Sequence, residues 1–207
     1  MDDKRIMMIG TGIAAILLIG GWLWLDRGDG DRFAACRSSV IAGGASEIGG
    51  PFELISETGE KVTDKQVFSK PSLLYFGYTF CPDVCPLDNS RNAEATDLLD
   101  EKGVDVQPVF ISVDPKRDTT KVMSDFTESM HEKMLGLTGT PKDLAAVAKS
   151  WRVSYQVPDV EGDDYMVSHT TMTYLVMPEY GTVEFFGRDV SATEMADRVA
   201  CFVEASS

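Results

Sequence analysis

Apolar and polar positions divide the 207-residue chain into three zones. Ile6 to Leu25 runs without a charge and ends in Trp22-Leu23-Trp24-Leu25. As a helix it would be about 30 Å long, the thickness of a bilayer's hydrocarbon core. Tryptophans suit the membrane interface. Asp26-Arg27-Gly28-Asp29 follows, where a cleaved signal peptide would carry small residues, so an uncleaved single transmembrane helix is predicted over 1–25. Residues 26–47 are rich in Gly, Ser, Ala and charge and read as a tether. Residues 48–207 form the third zone, and there short apolar runs alternate with helical periodicity.

Within that zone, Pro51 to Ile55 and the segment around Val62 flank Glu57-Thr58-Gly59-Glu60, a hairpin signal. Ser72 to Gly77 and Val109 to Val113 are short apolar runs that predict buried strands. Leu87 to Lys102 reads as a helix stopped by Gly103, and a second helix is predicted from Lys121 to Met134. Thr140 caps a third, with Pro141 at its first position. Val153, Tyr155 and Val157 alternate as a short strand. Met172 to Met177 and Thr182 to Phe186 form a hairpin around Pro178 to Gly181, and Ser191 with Glu194 is a capping box for the last helix. Strands separated by helices pair in parallel, and the late hairpin adds antiparallel pairs. The predicted class is α/β: a thioredoxin-like mixed sheet flanked by helices, with an N-terminal hairpin.

Charge narrows the partners. Nineteen Lys and Arg against 33 Asp and Glu give a net charge of -14. Nucleic acid is excluded as a partner, since phosphate contacts depend on basic side chains. The acidity serves solubility or steering toward a basic partner. Four cysteines fix more. On the last helix Met195, Ala196, Val199, Phe202 and Val203 share an apolar face, and Cys201 lies about 160° from its centre at ~100° per residue. Cys201 is therefore no ordinary core cysteine. A structural bridge to Cys36 accounts for it and requires an oxidising compartment, which places the soluble domain in a periplasm or its equivalent.

The remaining pair, Cys81 and Cys85, sits in Phe80-Cys81-Pro82-Asp83-Val84-Cys85-Pro86, read as a loop after the first buried strand. Two thiolates this close do redox work, bind a soft metal, or both. His169, before the strand Met172 to Met177, would lie beside the cysteine loop in a thioredoxin-like sheet and complete a Cys2His set. Such a set suits Cu(I) and, with an added oxygen, Cu(II). Structural zinc would need a fourth protein ligand, and none stands out. Asp83 reads first as a turn residue and second as that oxygen donor. His131 reads as a solvated helix histidine. Tyr78, Phe80 and Met172 are candidate walls of the site. Disulfide exchange through Cys81 and Cys85 is the competing chemistry, although thioredoxin-type enzymes place two residues between their cysteines and a proline where Ser168-His169-Thr170 stands. A peroxidase would need a cation beside Cys81, for which Arg91 is the nearest candidate. A redox or copper sensor signalling through the anchor also stays open.

Gly77-Tyr78-Thr79-Phe80-Cys81-Pro82-Asp83-Val84-Cys85-Pro86, then Ser112-Val113-Asp114-Pro115-Lys116-Arg117-Asp118-Thr119, then His169 before a strand, resembles the Sco/SenC family. Gly49-Gly50-Pro51-Phe52 and the N-terminal anchor fit it too, and the similarity covers roughly residues 48 to 204. The resemblance implies a membrane-anchored copper metallochaperone with Cys81, Cys85 and His169 as ligands. It implies cytochrome c oxidase subunit II as partner, whose binuclear copper centre is loaded or prepared, with another copper chaperone as possible donor. Some members instead reduce the disulfide of that subunit, which would make Cys81 and Cys85 redox-active. The implied location is a bacterial inner membrane with the domain in the periplasm, or the mitochondrial inner membrane facing the intermembrane space. The bridge between Cys36 and Cys201 lies outside the family's pattern, and Asp114 to Thr119 matches it without a derivable role.

Overall fold

The fold is organised around the strand that the sequence marks most sharply. In the computed structural model, which describes residues 32–37, 47–160 and 162–207, Ser72–Gly77 (β3) is buried at every position. It lies between Gln107–Ser112 (β4), parallel to it, and Thr173–Met177 (β8), antiparallel. Glu53–Ser56 (β1) and Lys61–Thr63 (β2) form the expected hairpin, with Leu54 opposite Val62. Gly181–Phe186 (β9) pairs with β8. With Leu135–Thr138 (β5), these strands make one seven-stranded sheet in the order β2-β1-β5-β4-β3-β8-β9. Tyr155–Gln156 (β6) and Ser168–His169 (β7) form a separate two-stranded ribbon.

Helices cover both faces. Successive strand residues point to opposite sides, so neighbours on β3 report the two layers. Tyr75 reaches Asp88 on Val84–Glu101 (α2) and stacks on Phe110 of β4, which in turn meets Phe126 on Thr120–Met130 (α3). Phe76 instead meets Trp151, at the end of Pro141–Ser150 (α4). Ala192–Ser206 (α5) buries Met195, Ala196, Val199 and Phe202, the predicted face. A one-turn helix, Asp64–Val67 (α1), follows β2. Thr140 caps α4 as read, and Ser191 caps α5, each accepting a backbone N–H three residues on. Of the expected capping box at Ser191 only this half forms, without the return bond from the Glu194 side chain.

Three expectations need correction. The helix predicted to Met134 stops at Met130, and Leu135–Thr138 is an unforeseen strand between β4 and β1. Gly136 interrupts its apolar pattern because a Cβ there would stand 2.6 Å from Glu57 Oε2, and that carboxylate accepts the Gly136 N–H. The strand expected over Val153 to Val157 contracts to Tyr155–Gln156. The helix expected from Leu87 begins at Val84, which moves Cys85 from a loop into a first helical turn.

The chain divides into two units, residues 1–35 and 36–207, and the elements above belong to the second. The apolar run 6–25 and most of the tether lie outside the described residues. Among the described residues no helix is long and apolar enough to cross a membrane. Cys36 and Cys201 are joined by a disulfide with their Cα atoms 5.7 Å apart.

Candidate metal centre

β3 delivers the chain to the centre. After Gly77 it turns at Tyr78, whose carbonyl accepts the Cys81 N–H at 3.3 Å, and α2 starts at Val84 with Asp83 at its N-cap. The backbone N–H groups of a first helical turn have no partner within the helix. That of Cys85 points at Cys81 Sγ, 3.4 Å away. Pro86 fits in the same turn because no hydrogen bond is lost there.

The second half arrives with β7. Tyr155 of β6 pairs with His169, and Thr170 is braced by N–H donation to the Ser154 carbonyl at 2.9 Å. His169 Nδ1 lies 2.9 Å from the Thr170 carbonyl, which can only accept, so Nδ1 carries the proton. Nε2 is left with its lone pair facing Cys85 Sγ at 3.2 Å, so a protonated Cys85 donates to it. The rings of Tyr75 and Tyr78 meet the imidazole edge-on, at 6.0 and 5.8 Å, and fix its plane.

One ligand atom each from Cys81, Cys85 and His169 therefore falls within 4.8 Å of the other two. Two sulfurs and one imidazole nitrogen, with the second imidazole nitrogen anchored, match a soft metal ion. Cys81 and His169 line a cleft of 280 Å³ together with Tyr78, Asp83 and Met166, and Cys85 lies behind its wall. The sulfurs differ. Cys85 is wholly buried and Cys81 is 6% exposed. Burial raises the Cys85 thiol far above its ordinary range, and the nearby Cys81 adds to this. Burial also pushes Cys81 upward, but the N–H groups of Cys85 and Asp83 outweigh it and the net direction is down. His169 is lowered by burial, so the imidazole is neutral at pH 7.

Gly77 is where the sheet touches the centre. A Cβ there would lie 2.9 Å from Cys85 Sγ, 2.9 Å from Phe110 and 3.0 Å from Tyr75. Gly77→Ala is expected to cost about 1–3 kcal/mol by overpacking and to shift Cys85 off its position. Denaturant unfolding with thiol-alkylation rates measures both, and an unchanged midpoint and rate would show that the contact yields freely.

Other candidates are placed elsewhere. Asp83 is an exposed N-cap residue and does not join the three-atom cluster. His131 is a correction: it terminates α3 rather than lying within it, and its side chain is 8% exposed. Its Nδ1 accepts the Lys133 N–H and its Nε2 faces Asp97 at 3.2 Å, so it ties α3 to α2. Arg91 donates to the Gly187 carbonyl and Thr173 Oγ1, which removes the cation a peroxidase would use. Phe80 is 51% exposed and Met172 packs against the main core. Sequence reading missed Tyr75, whose hydroxyl donates to buried Asp88 at 2.9 Å behind the centre. A tyrosine inside an aliphatic strand was the available signal, since a buried phenol needs a partner.

Comparison with known proteins agrees with this geometry. The sequence profile of the SCO1/SenC family matches residues 42–204. Protein SenC of Rhodobacter capsulatus is 52% identical over 206 residues, 99% of this chain and 93% of that protein. The mitochondrial SCO1 homologue of Homo sapiens is 38% identical over 156 residues, and the match covers 74% of this chain and 52% of the human protein. The crystal structure of Arabidopsis thaliana ScoI with copper bound superposes with a TM-score of 0.72 at 43% identity, over 76% of this chain and 99% of that one.

Proposed function

The chain belongs to the SCO1/SenC family, and from that premise we propose that it is a copper chaperone for the assembly of cytochrome c oxidase. The observation that carries this reading is the convergence of two sulfurs and one imidazole nitrogen within 4.8 Å. Copper is the cargo, and Cys81, Cys85 and His169 hold it. The acceptor is subunit II of the oxidase, whose cysteines displace Cys81 and Cys85 by ligand exchange. Residues 1–25 anchor the chain in an inner membrane, 26–47 tether it, and 48–207 present the copper outside the cytoplasm. Tethering raises the local concentration at a membrane-bound acceptor.

The inequality of the thiols favours a second reading. A more exposed, acid-shifted Cys81 backed by a buried Cys85 is the arrangement of a dithiol reductant. Cys81 thiolate would attack one sulfur of a substrate disulfide, and Cys85 would then displace the second substrate thiol. The pair loses two electrons and two protons, and the substrate gains them.

A copper titration of the reduced chain across pH, run beside a disulfide-reduction assay, tests the proposal. Copper binding must displace the proton of the upshifted Cys85 thiol, whereas His169 is already neutral. Each proton released steepens the apparent affinity by about tenfold per pH unit, so uptake should strengthen by at least that factor per unit between about pH 7 and 8.5. One copper per chain with that slope is expected. A flat profile would remove Cys85 thiolate from the site, and disulfide turnover without copper uptake would favour the second reading.

A further inference from the structure

Asp114 to Thr119, marked by the sequence without a role, lies where the two halves of the centre meet. Arg117 is its hub, with only 5% of its side chain exposed. Its Nε donates to Asp114 Oδ2 at 2.5 Å, and its Nη1 donates to the carbonyls of Asp163 and Tyr165 at 3.0 and 2.9 Å. The guanidinium sits 3.7 Å from the centre of the Tyr165 ring, 4.9 Å from that of Phe80 and 5.4 Å from that of Tyr78. Tyr165 donates its hydroxyl to Asp114 Oδ1 at 2.9 Å. Behind this, Asp118 accepts from Thr79 Oγ1 at 2.6 Å and from Ser112 Oγ at 2.5 Å.

These contacts sort by segment. Tyr78, Thr79 and Phe80 immediately precede Cys81. Asp163 and Tyr165 lie on the arm that ends in His169. One planar cation thus grips both: its faces take rings from the two segments, and its edge takes two carbonyls of the histidine arm. A buried ion pair is weak support for stability as such, and its best-attested use is fixing a register. An apolar side chain of similar size would fill the space between the rings, but it could not reach the carbonyls.

We propose that Arg117 is a positioning residue that locks the His169 arm to the cysteine loop and sets the spacing of imidazole and thiolates before copper arrives. This rests on the copper reading above. It predicts that Arg117 acts through His169, which a merely structural residue would not do.

The test uses the full chain in detergent, as Arg117→Met, Arg117→Lys and each combined with His169→Ala. Arg117→Met should weaken copper affinity about tenfold to a hundredfold, the usual effect of residues that orient ligands. On the His169→Ala background the same change should cost less than about threefold, because the group it orients is gone. Arg117→Lys should fall between, since it keeps the charge and loses the fork. In the copper-free protein the His169 imidazole resonances should shift and broaden in Arg117→Met. Equal affinity losses in both backgrounds, or an unmoved imidazole signal, would overturn the assignment. If Arg117→Met does not fold, Arg117→Lys carries the same comparison. If the parent chain takes up no copper, the functional reading fails, yet the copper-free imidazole signal still decides the role of Arg117.

Discussion

His169→Ala is expected to weaken copper binding by about a hundredfold or more and to leave the fold in place. Changes one shell further out already cost about 10–100-fold in metal affinity, so removing a ligand sets that range as a floor. The two sulfurs would remain, but the site loses its only nitrogen donor and the group that Cys85 faces at 3.2 Å. The fold should survive because the imidazole's hydrogen bonds go to its own neighbour Thr170 and to Cys85 Sγ within the centre, and the pairing of Tyr155 with residue 169 is made by backbone. Losing the edge contacts with Tyr75 and Tyr78 should cost about 0.5–1.5 kcal/mol per ring pair. Competition with a Cu(I) chelator reads the affinity, and thermal unfolding reads the fold. Disulfide reduction by Cys81 and Cys85, if the second reading holds, should persist in this variant. Copper affinity within threefold of the parent would take His169 out of the site.

The second large effect concerns stability. Cys36 and Cys201 are 165 residues apart in sequence, so their bridge closes a loop around nearly the whole described fold. Opening it as Cys36→Ser with Cys201→Ser is expected to cost about 2–5 kcal/mol, mainly by releasing the unfolded chain. For a protein of this size that is a fall of roughly 4–20 °C in the unfolding midpoint. Copper stoichiometry should stay at one, since neither sulfur belongs to the cluster. Scanning calorimetry of parent and variant, both oxidised, decides it. A shift under about 1 °C would mean that the bridge constrains little that the fold does not already hold.

What the chain disclosed in advance follows the range of the forces involved. β3 was legible to the residue because a buried central strand is a short apolar run with polar ends. The caps at Thr140 and Ser191 were legible because they are contacts three residues long. Cys201 stood out because helical period alone put it opposite the apolar face. β5 was hidden because its four residues with a central glycine carry no periodic signal, and its strand character comes from β4 and β1 on either side. The start of α2 was misplaced because a proline in a first turn breaks no hydrogen bond and so marks no boundary. Cys81, Cys85 and His169 could be grouped from topology. The clamp at Arg117 could not, because its partners on the 163–165 arm are 46 residues or more away in sequence and held in no regular element.

A mechanical consequence follows from the sulfur bridge. β1 and β2 come first among the strands and occupy the sheet's edge, where a tug along the chain would peel them bond by bond, like a zipper. With Cys36 fastened to α5, a pull from upstream enters the molecule at its last helix instead. Strain is then shared by a covalent link and a packed helix face, and the weak peeling direction is bypassed.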